Sequence, residues 1–161
     1  LPYPGGPLID QYAKQGNPHA YEFPKVNAPG LNFSFSGIKT AFLYFLRDGI
    51  RENPAFMSEE NLPDICASMQ YTLVQTLMRK LIQASEGLGV RQIGIAGGVS
   101  ANSYLRQAVQ DEGQRRNWDV FIPDFAYCTD NAGMIAMAGY YQHLAGQSAP
   151  LTVAPNPRMA F

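Results

Sequence analysis

"VRQIGIAGGVSANSYLRQAVQDEGQRRNWDVFIP", residues 90–123, decides the fold class. It reads as a short apolar strand (VRQIGIAGG), a helix (NSYLRQAVQDEGQRR) and a second apolar strand (WDVFIP). Strands joined by a helical crossover run parallel, whereas antiparallel neighbours need only a tight turn. Inside it, residues 96–106, "AGGVSANSYLR", gather Gly97, Gly98, Ser100, Ala101 and Asn102 between strand and helix. A core element would place bulk there. In open α/β sheets ligands bind beyond the carboxyl ends of strands, where this turn falls. Glycines let a flat base or a phosphate reach the main chain, and the N–H groups of a helix start favour an anion. The turn is either such a cradle or a tight corner, and Asn102 either caps the helix or bonds a ligand. It matches neither the G-x-G-x-x-G nor the Walker pattern.

Upstream, Asn61 with Pro63 opens a long helix to about Glu86. Ile65, Met69, Leu73, Leu77 and Leu81 recur at helical spacing, Val74 and Ile82 widen the stripe, and Gly87 and Gly89 stop it. Before that helix, "LNFSFSG" alternates Phe33 and Phe35 with serines, the period of a half-buried strand. "IKTAFLYFLRDG" follows as a helix closed by Gly49, with the aromatic run Phe42, Tyr44 and Phe45 assigned to the core. The first 30 residues are broken by Pro and Gly and read as an irregular segment packed on the body, with two helical turns from Leu8 to Gln15. Downstream, "DFAYCTD" is a loop and "NAGMIAMAGYYQHLA" a helix ended by Gly146. The expected division is an irregular segment 1–30, an α/β lobe 31–146 and a surface tail 147–161.

A chain of 161 residues suits one domain, and 46% hydrophobic with 16% charged residues is an ordinary globular composition. No apolar run reaches the roughly 18 residues of a membrane span. The start, "LPYPGGPLID", lacks the basic and apolar regions of a signal peptide; without an initial Met, it is expected to be a processed chain or a piece of a longer one. Cys66 and Cys128 read as free thiols in a reducing compartment. His19 and His143 form no two-histidine metal motif. A net charge of −1 argues against a strong nonspecific nucleic-acid binder, though not against one that holds RNA with a partner.

Three further corners carry chemistry. "CTDNAGM" sets Thr129, Asp130 and Asn131 before a helix, where Asp130 either caps the helix or binds a metal whose other ligands lie elsewhere. "YPGGP" is either a turn or a second close backbone approach, with Asp10 one helical turn on, able to accept from a sugar diol. "SFSGIKT" sets Ser36 and Lys39 at a corner, where Lys39 either touches a phosphate or is solvated. Arg115 and Arg116 read as a solvated helix end, and Cys128 is given no role.

With "YPGGP", "FSFSGIKTA", "AGGVSAN" and "CTDNAGMIA" in this order, the chain resembles the TsaD/Gcp family of tRNA N6-adenosine threonylcarbamoyltransferases, formerly called O-sialoglycoprotein endopeptidases. The resemblance runs from the first residues to about Gly146. It implies an α/β ASKHA (actin-like, Hsp70-like, sugar-kinase-like) fold, of which this sequence looks like most of the second lobe, a mixed sheet flanked by helices. It implies transfer of threonylcarbamoyl from threonylcarbamoyl-AMP to N6 of adenosine 37 of tRNA, in the cytoplasm, with accessory proteins. Carried over by motif, Gly6, Asp10, Gly97, Gly98 and Asn102 look like contacts to an adenylate or ATP-type ligand, and Asp130 like a ligand of iron, or zinc in some preparations. The family's H-x-x-x-H metal ligands belong to the first lobe and are absent here; His19 and His143 do not match them. The expectation is therefore a folded, inactive, metal-free piece that self-associates through surface meant for the missing N-terminal lobe. Rival readings are a small-molecule carbamoyltransferase, a sugar-kinase-like phosphotransferase and a noncatalytic nucleotide- or protein-binding module. No H-E-x-x-H motif or Ser/His/Asp constellation supports the endopeptidase label.

Overall fold

Ile93 lies opposite Val120 in a parallel pair of short strands, β1 (Gln92–Gly94) and β2 (Asp119–Phe121), with Gln92 opposite Asp119 and Gly94 opposite Phe121. The expected crossover joins them as α4 (Ser103–Arg116). Apolar residues from both sides of this unit, Ile93, Leu105, Val109 and Trp118, close over Val74 and Met78 to form the core. Gly113 of α4 is small for a packing reason: a β-carbon there would overlap Cγ2 of Val120, so the helix lies directly on β2.

The computed structural model describes residues 1–25, 28–154 and 156; Val26, Asn27, Pro155 and residues 157–161, which include the end of the expected tail, lie outside the described residues. Among the described residues, the α-helices α1 (Gly5–Ala13), α2 (Ser36–Glu52) and α3 (Leu62–Leu88) precede β1, and α5 (Ala132–Leu144) follows β2. Residues 1–128 form one compact unit, and Thr129 onward forms a second. No helix among the described residues is long and apolar enough to cross a membrane.

α3 is the organising helix. Pro63 sits in its first turn, and Gly89, with φ 66°, supplies the left-handed residue that ends it, so Gly87 stays helical rather than stopping it. Its buried surface is wider than the single expected stripe, because α1, α4 and residues 17–25 and 28–30 contact different sides of it. Ile65, Val74 and Met78 are buried, whereas Met69, Leu73, Leu77 and Leu81 are only half-buried. The Pro/Gly-rich segment is pinned by polar groups on this helix. Asp64 accepts from the Asn17 N–H at 2.6 Å, and the Ser68 hydroxyl accepts from the Tyr21 N–H at 3.1 Å. Buried Lys80 donates to the Ala28 carbonyl at 2.8 Å and to that of Gly30.

Several expectations are corrected. Residues 33–36 form no strand: no neighbour pairs with them among the described residues, and Phe33 and Phe35 stack on each other at 6.0 Å, both exposed. The sheet among the described residues is therefore the parallel pair alone, not a mixed sheet. Gly49 does not close α2, which runs on to Glu52; it makes room for the Phe56 ring, which a β-carbon would overlap. Phe42 and Phe45 pack edge-on against Phe23, whereas Tyr44 is exposed beneath the Arg47 guanidinium. Both cysteines are buried free thiols.

Arg115 and Arg116 are not a merely solvated helix end. Both donate to the carboxylate of Glu112, which is buried, and Arg116 also pairs with Glu86. Burial alone pushes the Glu112 carboxyl up, but the hydrogen bonds and charges of the two arginines outweigh it and hold the carboxyl below its ordinary value. A carboxyl lowered on folding stabilises the protein above its unfolded pKa, and that stabilisation is lost as pH falls through the lowered value. Glu112→Gln is therefore expected to lower the urea midpoint at pH 7, with the difference from wild type shrinking as the pH is taken down through the acid range.

Candidate functional site at the start of α4

Asp10 on α1 reaches the first residue of α4. Its Oδ1 accepts from the Ser103 N–H at 3.1 Å and from the Ser103 hydroxyl at 2.9 Å, while Oδ2 lies 3.5 Å from the Lys14 ammonium. Helix starts leave N–H groups without intrahelical partners, and Asp10 satisfies one of them from a helix distant in sequence. Asn102 satisfies another: its Oδ1 accepts from the Leu105 N–H at 2.8 Å, a regular N-cap. Its Nδ2 donates to Oε1 of Gln70 on α3 at 2.7 Å, and Gln70 is buried. Three helices thus fix one corner, and the capping role open to Asn102 in the sequence is realised.

The chain enters that corner from β1. Gly97 has φ 78° and ψ 174°, a conformation closed to other residues, so its identity follows from the backbone. Gly98 begins a 3-10 turn, Gly98–Ala101, that separates the glycines from α4. Buried Ser100 closes the turn, its N–H and its hydroxyl both donating to the Gly97 carbonyl, at 2.9 and 2.7 Å. Gly98 itself has no positive φ, and a β-carbon on it would meet nothing within 4 Å. Gly5 and Gly6, in the first turn of α1, are alike in both respects. A glycine inside a helix costs roughly 0.5–1 kcal/mol relative to alanine, and at these positions no packing in the chain requires it. Gly6 and Asp10, four residues apart, share a face of α1.

In the second unit, α5 is capped by Asn131, whose Oδ1 accepts from the Met134 N–H at 3.2 Å. The capping role weighed for Asp130 therefore belongs to its neighbour. Asp130 is exposed and makes no hydrogen bond or ion pair among the described residues. No group of three or more His, Cys, Asp or Glu among them is placed to hold a metal. His19 stands edge-on to Tyr71 at 4.7 Å, and His143 lies in the last turn of α5. A lone carboxylate holds iron or zinc poorly, so the described residues do not make up such a site. Lys39 is exposed in the first turns of α2, with no ion pair among the described residues.

Gln70, Ser103 and Arg106 were not singled out from the sequence. Gln70 carries a faint signal, a polar residue midway between Cys66 and Val74 on a buried helix face. A groove of about 930 Å³ between α3, α4 and residues 18–25 is lined by Tyr71, Arg79 and Tyr104 among others and includes none of Asp10, Gly98 or Asn102.

The family model described as TsaD, tRNA N6-adenosine threonylcarbamoyltransferase, matches residues 1–137. Curated proteins named tRNA N6-adenosine threonylcarbamoyltransferase are similar throughout. That of Cytophaga hutchinsonii is 57% identical over 99% of this chain and 46% of its own length. That of Christiangramia forsetii is 52% identical over 100% of this chain and 47% of its own length. Even that of Thermotoga neapolitana is 41% identical over 99% of this chain. The chain spans about half the length of the curated relatives it matches. It belongs to the TsaD family.

Proposed function

We propose that this chain is one half of a tRNA N6-adenosine threonylcarbamoyltransferase with the ASKHA fold, and that it supplies the adenylate side of the active site. The observation that carries the proposal is the family match over residues 1–137, a span that includes α1, the Gly97–Asn102 turn and Asp130. The whole enzyme would join the carbamoyl carbon of threonylcarbamoyl-AMP to N6 of adenosine 37 of a tRNA. The carbon–oxygen bond to the phosphate breaks, AMP leaves, and the amine loses a proton.

In this reading Gly6, Gly97 and Gly98 leave the backbone open to the adenylate, consistent with the empty space over Gly6 and Gly98. Asp10 and Asn102 are held by their bonds to the start of α4, and Asp10 keeps Oδ2 as an acceptor for a ribose hydroxyl. Asp130, without a partner among the described residues, would be one ligand of an iron or zinc ion whose other donors lie outside this chain. Alone, the chain is then inactive and self-associating. Cytoplasmic location and accessory proteins belong to the same proposal.

The test uses the full-length protein with its accessory proteins, tRNA, ATP, bicarbonate and labelled threonine. Wild type is expected to label the tRNA, and Asp130→Asn to label it about a hundredfold more slowly. Equal labelling by both would remove Asp130 from the metal site. No labelling by wild type, beside an active control enzyme, would leave a noncatalytic module or a small-molecule carbamoyltransferase.

A further inference from the structure

The geometry points to Arg106 as the positioning residue of the Gly97–Asn102 turn, a guanidinium that locks the loop after β1 to the loop after β2. Because β1 and β2 are parallel and in register, both loops leave the sheet at the same, carboxyl end. Their carbonyl oxygens carry like partial charges, and two of them meet Arg106 on α4. Nε donates to the Ser100 carbonyl at 2.7 Å, and Nη2 donates to the Pro123 carbonyl at 2.6 Å. The same Nη2 lies 3.1 Å from Sγ of Cys128, which is buried, and the guanidinium carbon stands 4.1 Å over the Phe125 ring. No carboxylate pairs with Arg106 among the described residues; its hydrogen bonds go to neutral acceptors.

The planar fork of Arg spans two carbonyls while stacking on a ring, a combination lysine does not offer. The chain of contacts continues inward, since Ser100 is hooked to the Gly97 carbonyl by both its N–H and its hydroxyl. The orientation of the Gly97–Gly98 peptide is thus tied, through Ser100 and Arg106, to Pro123. Arg106 is not catalytic; it acts through the turn. The functional half of the inference rests on the proposed reading of that turn as an adenylate contact.

The experiment compares the full-length protein with its Arg106→Lys, Arg106→Met and Ile65→Val variants, the last a core control far in sequence from the turn. Amide hydrogen exchange is followed without ligand, and AMP affinity by calorimetry. Both Arg106 variants are expected to lose protection tenfold or more in residues 97–103 and 123–128, with α3 unchanged, and to bind AMP at least tenfold more weakly. Ile65→Val is expected to keep wild-type AMP affinity even where its melting temperature falls. Unchanged local protection, or wild-type AMP affinity in Arg106→Lys, would overturn the positioning role. If wild type binds no AMP but the Arg106 variants still loosen these two segments alone, the lock stands and the adenylate reading falls.

Discussion

Gly98→Val is expected to leave the chain within about 1 kcal/mol of wild-type stability while cutting its affinity for AMP at least tenfold, or about 1.4 kcal/mol. The separation follows from what surrounds the residue. Its φ is not in the left-handed region, and among the described residues nothing beyond its own neighbours in the chain lies within 4 Å of its ideal β-carbon, so a β-carbon there meets neither strain nor a clash. Only an approaching ligand would feel it. Gly97 cannot serve as the probe, because its φ of 78° strains any side chain and would blur fold with binding. Gly98→Ala is the companion variant, with stability at or slightly above wild type and a smaller binding loss. Thermal melts and calorimetry with AMP read the two effects separately. Wild-type AMP affinity in Gly98→Val would return Gly98 to an ordinary turn residue.

The βαβ core was legible because its signals are local: apolar runs, a glycine turn, a helical crossover and Asn102 at the helix start. The strand assigned to residues 33–36 failed because alternation reports which side chains share a face, not whether a partner strand exists. Phe33 and Phe35 do share a face, and they stack on each other. Gly49 misled in a related way. A glycine in sequence signals a stop, whereas here the missing β-carbon admits Phe56 from the next loop. The site residues were legible as motifs, but their partners were not. Asp10 bonds a residue 93 positions away, and Gln70 one 32 away. Such pairings are set by helix packing, which no short-range pattern records. Asp130 and Asn131 show the finest limit: both types cap helices well, and only the backbone at the start of α5 decides that Asn131 does it.

Gly16→Ala is expected to be the most damaging single methyl in the chain, lowering stability by about 3 kcal/mol. A β-carbon at Gly16 would overlap the carbonyl carbon and oxygen of Pro63 and lie 2.6 Å from the Asp64 nitrogen. All three are backbone atoms at the start of a 27-residue helix, so relief requires moving α3 or the end of α1. Gly49→Ala is the contrast, since the three atoms nearest its β-carbon all belong to the Phe56 side chain, which can turn aside, and alanine is the better helix former. At this chain length about 3 kcal/mol corresponds to a fall of roughly 6–12 °C in melting temperature. The damage also has a functional direction. Residue 16 follows α1, the helix that carries Asp10 to Ser103, and the adjacent Asn17 N–H is bonded to Asp64. Pushing α1 off α3 would lengthen the Asp10–Ser103 contact, so Gly16→Ala should lose exchange protection at the Ser103 amide before the core unfolds. A melting temperature within a degree or two of wild type would mean that the α1–α3 junction is looser than its backbone contacts require.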